Sequence, residues 1–435
     1  MKNKVGVAIL GVGRRGYVLL DRCWTEMADV EIKVICDPYL PRLEKAAELL
    51  KTKGLPEAIL TTDSDAAINN PEVEAVVILT GWDEHAFLAE KSLLAGKYTA
   101  IEVGCAPSLQ ECFNLIEAHE KTGAPLMMLE NCCYSRREMM VLNLVKQGLF
   151  GEIVHCAGGY HHELGEGDLF QEFMPEHPMY GIPHYRLHHY INRNCHNYPT
   201  HELGPIMKVL DIHHGNRMLS LTSTASKSRG LNEFAKNQFG ADSEFANMNY
   251  KQGDIVSTII TCARGETIAL TLDTSLIRPY YTRDFTVRGT KGCYDEARHT
   301  VFLKGMEADL WNSEYGYYED MSENEEKMYE KYDHPLHEEY IKVGVRGGHG
   351  GADWLISRAF VEAVKAGTDT PINAYDTAAL MSIAALSEKS IALGGAPVEI
   401  PDFTKGKWFG KIPKNEGKYS LDLVVADPDT SIVPQ

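Results

Sequence analysis

Gly11-Val12-Gly13-Arg14-Arg15-Gly16 places three glycines at G-x-G-x-x-G spacing, directly after the apolar run Lys4–Leu10. Gly11 permits a tight turn. Gly13 lets backbone approach a pyrophosphate at a helix start, where the dipole is positive. Asp37 closes a second apolar run, Val30–Cys36. Its carboxylate is placed to accept hydrogen bonds from a ribose diol and to repel a 2′-phosphate. The reading is therefore NAD rather than NADP, with Arg14 and Arg15 as the counter-argument. Thr80–His85 and Glu102-Val103 follow two further strand patterns, at the carboxyl-end edge where such sheets bind ligands.

A second group of residues has different chemistry. Eleven of the seventeen histidines fall between His155 and His214, interleaved with tyrosines. Tyr160, His161, His162 and Glu163 end a strand pattern, and Tyr198-Pro199-Thr200-His201 precede an expected helix, Glu202–His213. Thr200 is expected to cap that helix and aim His201 from its first turn, where a neutral imidazole accepts protons. Metal binding is not expected. No H-x-x-x-H or H-E-x-x-H pattern falls on an expected helix, and His184, His188 and His189 fall in an apparent loop. Arg186 and Tyr280 are also read as loop residues.

Both groups need a scaffold. Strand patterns at Lys4–Leu10, Val30–Cys36, Val73–Leu79, Tyr98–Glu102 and Pro125–Leu129 alternate with helical patterns at Pro41–Leu50, His85–Ala95 and Leu109–Thr122. That alternation predicts an α/β doubly wound parallel sheet over residues 1–130. Beyond the helix pattern Glu138–Gln147, longer strands dominate: Glu152–Tyr160, Met218–Ser226, Ile255–Ala263, Glu266–Thr274 and Asp284–Gly289, with Arg264-Gly265 as a hairpin turn. Residues 131–435 are therefore expected to form an α+β domain with an open, mainly antiparallel sheet, closed by helices at Ala352–Lys365 and Ala374–Leu393. His161–Thr200 and the acidic segment 307–340 read as long irregular excursions, the latter solvated.

Lys plus Arg number 43 against 61 Asp plus Glu, a net charge of -18, which disfavours a nucleic-acid partner. No apolar run is long enough to span a membrane, and Met1–Leu10 lacks signal-peptide anatomy, so the expectation is cytoplasmic, export remaining open if a leader was removed. Ten scattered cysteines without a C-x-x-C pair read as reduced core thiols.

These features resemble the glucose-fructose oxidoreductase / inositol dehydrogenase superfamily and, within it, glycoside hydrolase family 109, the NAD-dependent α-N-acetylgalactosaminidases. The resemblance rests on GVGRRG (11–16), CDPY (36–39), Glu102-Val103, MLENCCY (128–134), GLFGEIVHCAGGY (148–160), YPTHELGPIMKVLDI (198–212) and RDFTVRGTKG (283–292). The parent superfamily ends its fifth strand in Glu-Lys-Pro, with the lysine catalytic. Here Glu102-Val103-Gly104 stands there, which argues against a simple sugar dehydrogenase. Glu202 stands where family members often have glycine, and Gly165–Arg193 matches them weakly.

The resemblance implies a redox-neutral cycle of oxidation at sugar C-3, elimination across C-2 and C-1, water addition and reduction. The carbohydrate substrate is the terminal hexosamine of a glycan. His201 is implied as the base at the C-3 hydroxyl, with Tyr198 beside it. Tyr160 is implied as the base at C-2 if its pKa is lowered, with His162 taking part. Arg186 and Tyr280 would bind the sugar, together with Tyr160, Tyr198 and His201. The implied cofactor set is Gly11, Gly13, Arg14, Arg15, Asp37, Trp82, Asp83, Glu84, His85, Glu102, Val103, Asn131 and Tyr198, with Glu130 orienting the region. Second domains of this kind pair through their sheet, so a homo-oligomer is expected. The alternatives are a sugar or inositol dehydrogenase, the same chemistry on another hexosaminide, and a non-catalytic NAD-bound protein.

Overall fold

The computed structural model describes residues 4–177, 179–182, 184–306, 311–314, 317–318, 323–344, 346–415 and 417–421. Strands β1 (Val5–Leu10), β2 (Val30–Cys36), β3 (Ile59–Thr61), β4 (Ala75–Ile78), β5 (Tyr98–Ile101) and β6 (Leu126–Met128) alternate with helices α1 (Arg14–Arg22), α2 (Leu40–Thr52), α3 (Ser64–Ile68), α4 (Trp82–Leu94) and α5 (Leu109–Thr122). All strand pairs are parallel, in the order β3-β2-β1-β4-β5-β6. β1 and β4 are buried throughout, as continuous apolar runs covered on both faces must be. α5 begins with a capping box, Ser108 with Glu111, and ends on Gly123 at φ +71°. Those signals explain why its sequence bounds are also its structural ones. β3 carries no such signal: it is three residues long, and both Ile59 and Leu60 are exposed.

The next elements are α6 (Arg136–Lys146), β7 (Ile153–His161), α7 (Tyr185–Asn192), α8 (Thr200–Val209), β8 (Met218–Ala225), α9 (Gly230–Phe239), α10 (Glu244–Asn247), β9 (Ile255–Cys262), β10 (Thr267–Asp273), β11 (Thr286–Gly289), β12 (Gly292–Asp295), β13 (Thr300–Leu303), the short pair β14 (Trp311–Asn312) and β15 (Tyr317–Tyr318), α11 (Glu325–Tyr332) and α12 (Pro335–Val343). Helices α13 (Ala352–Ala366) and α14 (Ala374–Ala392) and strand β16 (Val398–Glu399) follow. The eight-stranded sheet runs β13-β12-β11-β7-β10-β9-β8-β16, antiparallel except for the β7–β10 pair. β9 alternates buried and exposed residues, which puts one face of the sheet on the core and one toward water.

Three sequence expectations are refined. First, beyond the boundary near residue 130 the closing helices are shared out: among the described residues one compact unit comprises 4–135, 340–386 and 402–421, and the other 136–339 and 387–401. α13 belongs to the first unit because its apolar side serves that core, with Phe360 against Trp24 and Arg358 paired to Asp29. Second, Arg186, His188 and His189 lie on helix α7, with His184 as its N-cap, not in a loop. Third, the acidic segment 307–340 is not simply solvated. Its residues 307–310, 315–316 and 319–322 lie outside the described ones. Yet Glu325 is buried, 3.2 Å from Arg137, and accepts a hydrogen bond from Tyr294 at 2.6 Å. Among the described residues no helix is long and apolar enough to cross a membrane.

Candidate active site

In the first unit the site is built from backbone. Gly11 has φ +91°, and a Cβ there would lie 2.8 Å from the carbonyl of Leu79 and from the Thr80 nitrogen. Only glycine fits that crossing of β1 past the end of β4. A Cβ on Gly16 would lie 2.2 Å from the Gly11 oxygen, so glycine also allows α1 to start this close to the loop. Gly13 is different. A Cβ there would meet nothing nearer than Arg42 at 3.7 Å, so its backbone borders open space. It is the N-cap of α1, with no side-chain cap and no acid in the first turn. Glycine cradle and helix start together fit an anionic pyrophosphate.

Asp37 is almost fully buried at the end of β2. Its Oδ2 accepts from the Val12 N–H at 2.9 Å and its Oδ1 from the Tyr39 N–H at 3.0 Å, so the acid also fixes the glycine loop. Arg42 Nη1 stands 3.5 Å from the same Oδ1.

α4 starts at Trp82, earlier than the sequence suggested, and puts Asp83 and Glu84 exposed in its first turn. The Glu84 carboxyl is half-buried although the residue as a whole is exposed, and that partial desolvation, helped by Asp37 and Asp83, pushes it up. Trp82 and His85 are buried. His85 Nε2 lies 3.0 Å from the Thr80 oxygen, while its buried Nδ1 has no partner among the described residues. Burial lowers that imidazole to about 4, so it is neutral at pH 7. A Cβ on Gly104 would lie 2.5 Å from the Trp82 ring and 3.1 Å from His85 Nδ1. The Glu102-Val103-Gly104 turn therefore packs its backbone directly on these two rings.

Arg15 and Asn131 converge on a residue the sequence reading did not single out, Asp353 in the first turn of α13. Arg15 donates to both Asp353 oxygens at 2.8 Å and to Glu102 Oε1 at 3.1 Å. Asn131 Nδ2 donates to Asp353 at 2.7 Å, and His349 Nδ1 lies 2.9 Å from it. Burial alone would raise the Asp353 carboxyl, but Arg15 and His349 hold it far below the usual range. Arg15 thus shapes the loop through an ion pair. Arg14 is exposed, Val103 is buried, and Glu130 is fully buried, accepting from the Cys132 N–H at 3.0 Å.

In the second unit the site is built from side chains. Tyr160 near the end of β7 stacks on Tyr198, with centroids 4.3 Å apart. Tyr160 Oη lies 3.1 Å from His162 Nδ1, and Tyr198 Oη lies 3.3 Å from His201 Nε2. The His201 ring is 5.5 Å from that of Tyr160. α8 reaches this position because β7 carries Gly158: a Cβ there would sit 2.7 Å from the Glu202 Cβ. Glu202 itself is buried, 2.8 Å from His196 Nε2, which explains an acid at this place in the helix. The expected Thr200 cap does not form. Pro199 is the N-cap, and the buried Thr200 hydroxyl lacks a hydrogen-bond partner among the described residues.

From α7, Arg186 lies 5.2 Å over the Tyr198 ring and pairs with Asp168 at 2.6 Å. Asp168 sits in a π-type turn, Gly165–Leu169, and was missed by sequence reading. Burial drives the Tyr160 phenol up, opposite to the lowering expected for a base, and Arg186 only partly offsets it through charge and a hydrogen bond. Burial lowers His162, reinforced by Arg186. Tyr280 is 66 % exposed, and its neighbour Tyr281 joins the cluster instead, 5.3 Å from His162 and 6.0 Å from Tyr160. His184 Nδ1 accepts from the Arg186 N–H while His188 turns to Asn192, so the two are not held together as ligands.

A parallel sheet with a glycine cradle in one unit, and a polar aromatic cluster in a second, α+β unit, define a dinucleotide-binding chain of oxidoreductase fold. Solved structures agree on that fold: a levoglucosan dehydrogenase in complex with NADH and levoglucosan has TM-score 0.65 at 18 % identity, covering 92 % of this chain and 100 % of that one. An NAD-binding oxidoreductase from Klebsiella pneumoniae has TM-score 0.68 at 14 % identity, with the same coverage. Residues 5–130 match the oxidoreductase-family NAD-binding Rossmann fold, and residues 134–410 match the glycosyl hydrolase 109 C-terminal domain. An α-N-acetylgalactosaminidase of Tannerella forsythia is 36 % identical over 88 % of this chain and 83 % of its own length. A glycosyl hydrolase family 109 protein of Stenotrophomonas maltophilia is 35 % identical over 96 % and 93 %. The chain belongs to glycosyl hydrolase family 109, a glycosidase on a nicotinamide-dinucleotide-binding fold.

Proposed function

We propose that this chain removes terminal α-linked N-acetylgalactosamine, with NAD rather than NADP as cofactor. The observation that carries the reading is the Tyr160–His162–Tyr198–His201 cluster around Arg186, in a chain whose β5 ends in Glu102-Val103-Gly104 without a lysine. The name of the Tannerella forsythia relative supports the substrate. Bound at the glycine cradle, NAD supplies reversible hydride acceptance at sugar C-3, so no net oxidation occurs. Gly11, Gly13, Arg14, Asp37, the start of α4, Glu102 and Val103 would hold it. Arg15 and Asn131 shape that edge through Asp353, and Tyr198 is assigned to the cofactor as part of this proposal.

His201 takes the proton of the C-3 hydroxyl, with Tyr198 Oη on its Nε2. Tyr160 takes the C-2 proton. A buried phenol is a poor base alone, so its own proton goes to His162 Nδ1; burial raises the phenol and lowers the imidazole, which opposes this transfer, and Arg186 favours it only from the phenol side. Arg186 stabilises the resulting phenolate and binds the sugar. The C-1 leaving group departs by elimination, and water adds at C-1. Direct displacement between two carboxylates is not required.

The test is turnover of p-nitrophenyl α-N-acetylgalactosaminide in D2O. Deuterium at C-2 of the released sugar is the expected result. Release with C-2 hydrogen fully retained contradicts elimination.

A further inference from the structure

Arg42 stands at the most selective corner of the cofactor site. It lies in the first turn of α2, with its guanidinium 4.6 Å from the Tyr39 ring centroid. Its Nη1 is 3.5 Å from Asp37 Oδ1 and 3.7 Å from the place a Gly13 Cβ would occupy. One cation and one carboxylate therefore share the corner between the glycine loop and the end of β2. In a doubly wound dinucleotide fold that corner receives the adenosine ribose. Of the two cations that the sequence sets against NAD, Arg15 is committed to Asp353 and Glu102, and Arg14 is exposed at the start of α1.

We infer that Arg42 is a specificity-determining residue, a 2′-phosphate acceptor held in check by Asp37. A 2′-phosphate entering this corner meets the Asp37 carboxylate, and the field of Glu84, which couples electrostatically to Asp37, adds to the exclusion. With Asp37 neutral, the guanidinium loses its partner and offers a planar fork of donors suited to phosphate. The inference rests on the NAD preference proposed above, and gives that preference a single release point.

The experiment compares wild type, Asp37→Ser, Arg42→Ala and the double variant. Dinucleotide co-purifying with each is released and quantified as NAD or NADP, and NADH and NADPH affinities are titrated by fluorescence. Asp37→Ser is expected to weaken NADH and strengthen NADPH by about tenfold each, the scale of one charge-assisted hydrogen bond. The NADPH gain disappears in the double variant, while Arg42→Ala alone keeps the NADH preference. Because Asp37 also holds the Val12 and Tyr39 amides through its two oxygens, Asp37→Asn, which keeps an acceptor for one of them, serves as the second neutral variant. A wild type that prefers NADPH overturns the NAD reading and this inference together. A wild type that prefers NADH, with neutral variants that gain no NADPH affinity or gain it equally without Arg42, overturns this inference alone.

Discussion

In the first unit the functional surface is backbone: Gly11 and Gly16 sit where a Cβ would strike neighbouring main chain, and Gly13 borders open space. In the second unit it is side chains: two stacked tyrosines, two histidines and an arginine brought together from β7, α7 and α8. A backbone site tolerates no added atom but asks little of its surroundings. A side-chain site depends on whatever aims and charges each group, here Asp168 behind Arg186 and Gly158 beneath Glu202. The first unit departs from this rule at Asp353, where two residues of the cofactor edge, Arg15 and Asn131, hang on one buried carboxylate.

That exception gives the largest expected effect. Asp353→Ala leaves Arg15 with Glu102 alone and takes the acceptor from Asn131 and His349, and should destabilise the protein by about 3 kcal/mol, the lower end of the cost of breaking a buried pair because Arg15 is part-exposed. Denaturant unfolding checks it, and a loss below about 1 kcal/mol would return Arg15 to the cofactor as a free cation. His201→Ala acts in the opposite way. Turnover should fall by about 10²-fold or more while the unfolding midpoint and NADH affinity stay near wild type. Equal losses of stability and activity would erase the contrast between the two units.

Gly11→Ala comes next. Strain at φ +91° alone costs about 1–3 kcal/mol, before the contact with Leu79 is relieved, and NADH binding should fall with it. The same substitution at Gly54, which has positive φ but open space around it, separates strain from clash.

The pH dependence has a defined sign. His85 and His334 are held near 4 in the folded protein by burial, below their ordinary value of 6.5. Between those values the unfolded chain binds protons that the folded one does not. Stability is therefore fully present above about 6.5 and falls as pH drops toward 4, by about 1.4 kcal/mol per unit for each histidine. His85→Gln should flatten that slope in a urea titration. The smallest effect belongs to Asp83→Asn. This exposed first-turn acid should change stability by under about 1 kcal/mol, the helix-dipole scale, which marks the difference between lining a site and holding it up.

Local signals made the first unit legible. Continuous apolar runs, the G-x-G-x-x-G spacing and the Ser108–Glu111 box each lie within a few residues, and the elements they predict form. The Glu102-Val103-Gly104 departure also has a local cause. A residue with a Cβ at 104 would collide with Trp82, so a proline cannot take that place. What failed was long-range or weakly patterned. Asp353 lies 338 residues from Arg15, and no spacing connects them. α7 buries only Leu187, His189 and Tyr190 of its eight residues, too few to print a helical stripe, so Arg186 read as a loop residue. Tyr281 rather than Tyr280 joins the cluster because one step along a loop reverses a side chain. The Tyr160 pKa depended on burial, which no motif encodes.

The most direct test follows p-nitrophenol release from the α-N-acetylgalactosaminide, with NADH absorbance recorded in the same cuvette. Many turnovers of nitrophenol with no accumulating NADH is the predicted result. NADH accumulating in step with free sugar, without nitrophenol release, would contradict the account and make the chain a dehydrogenase.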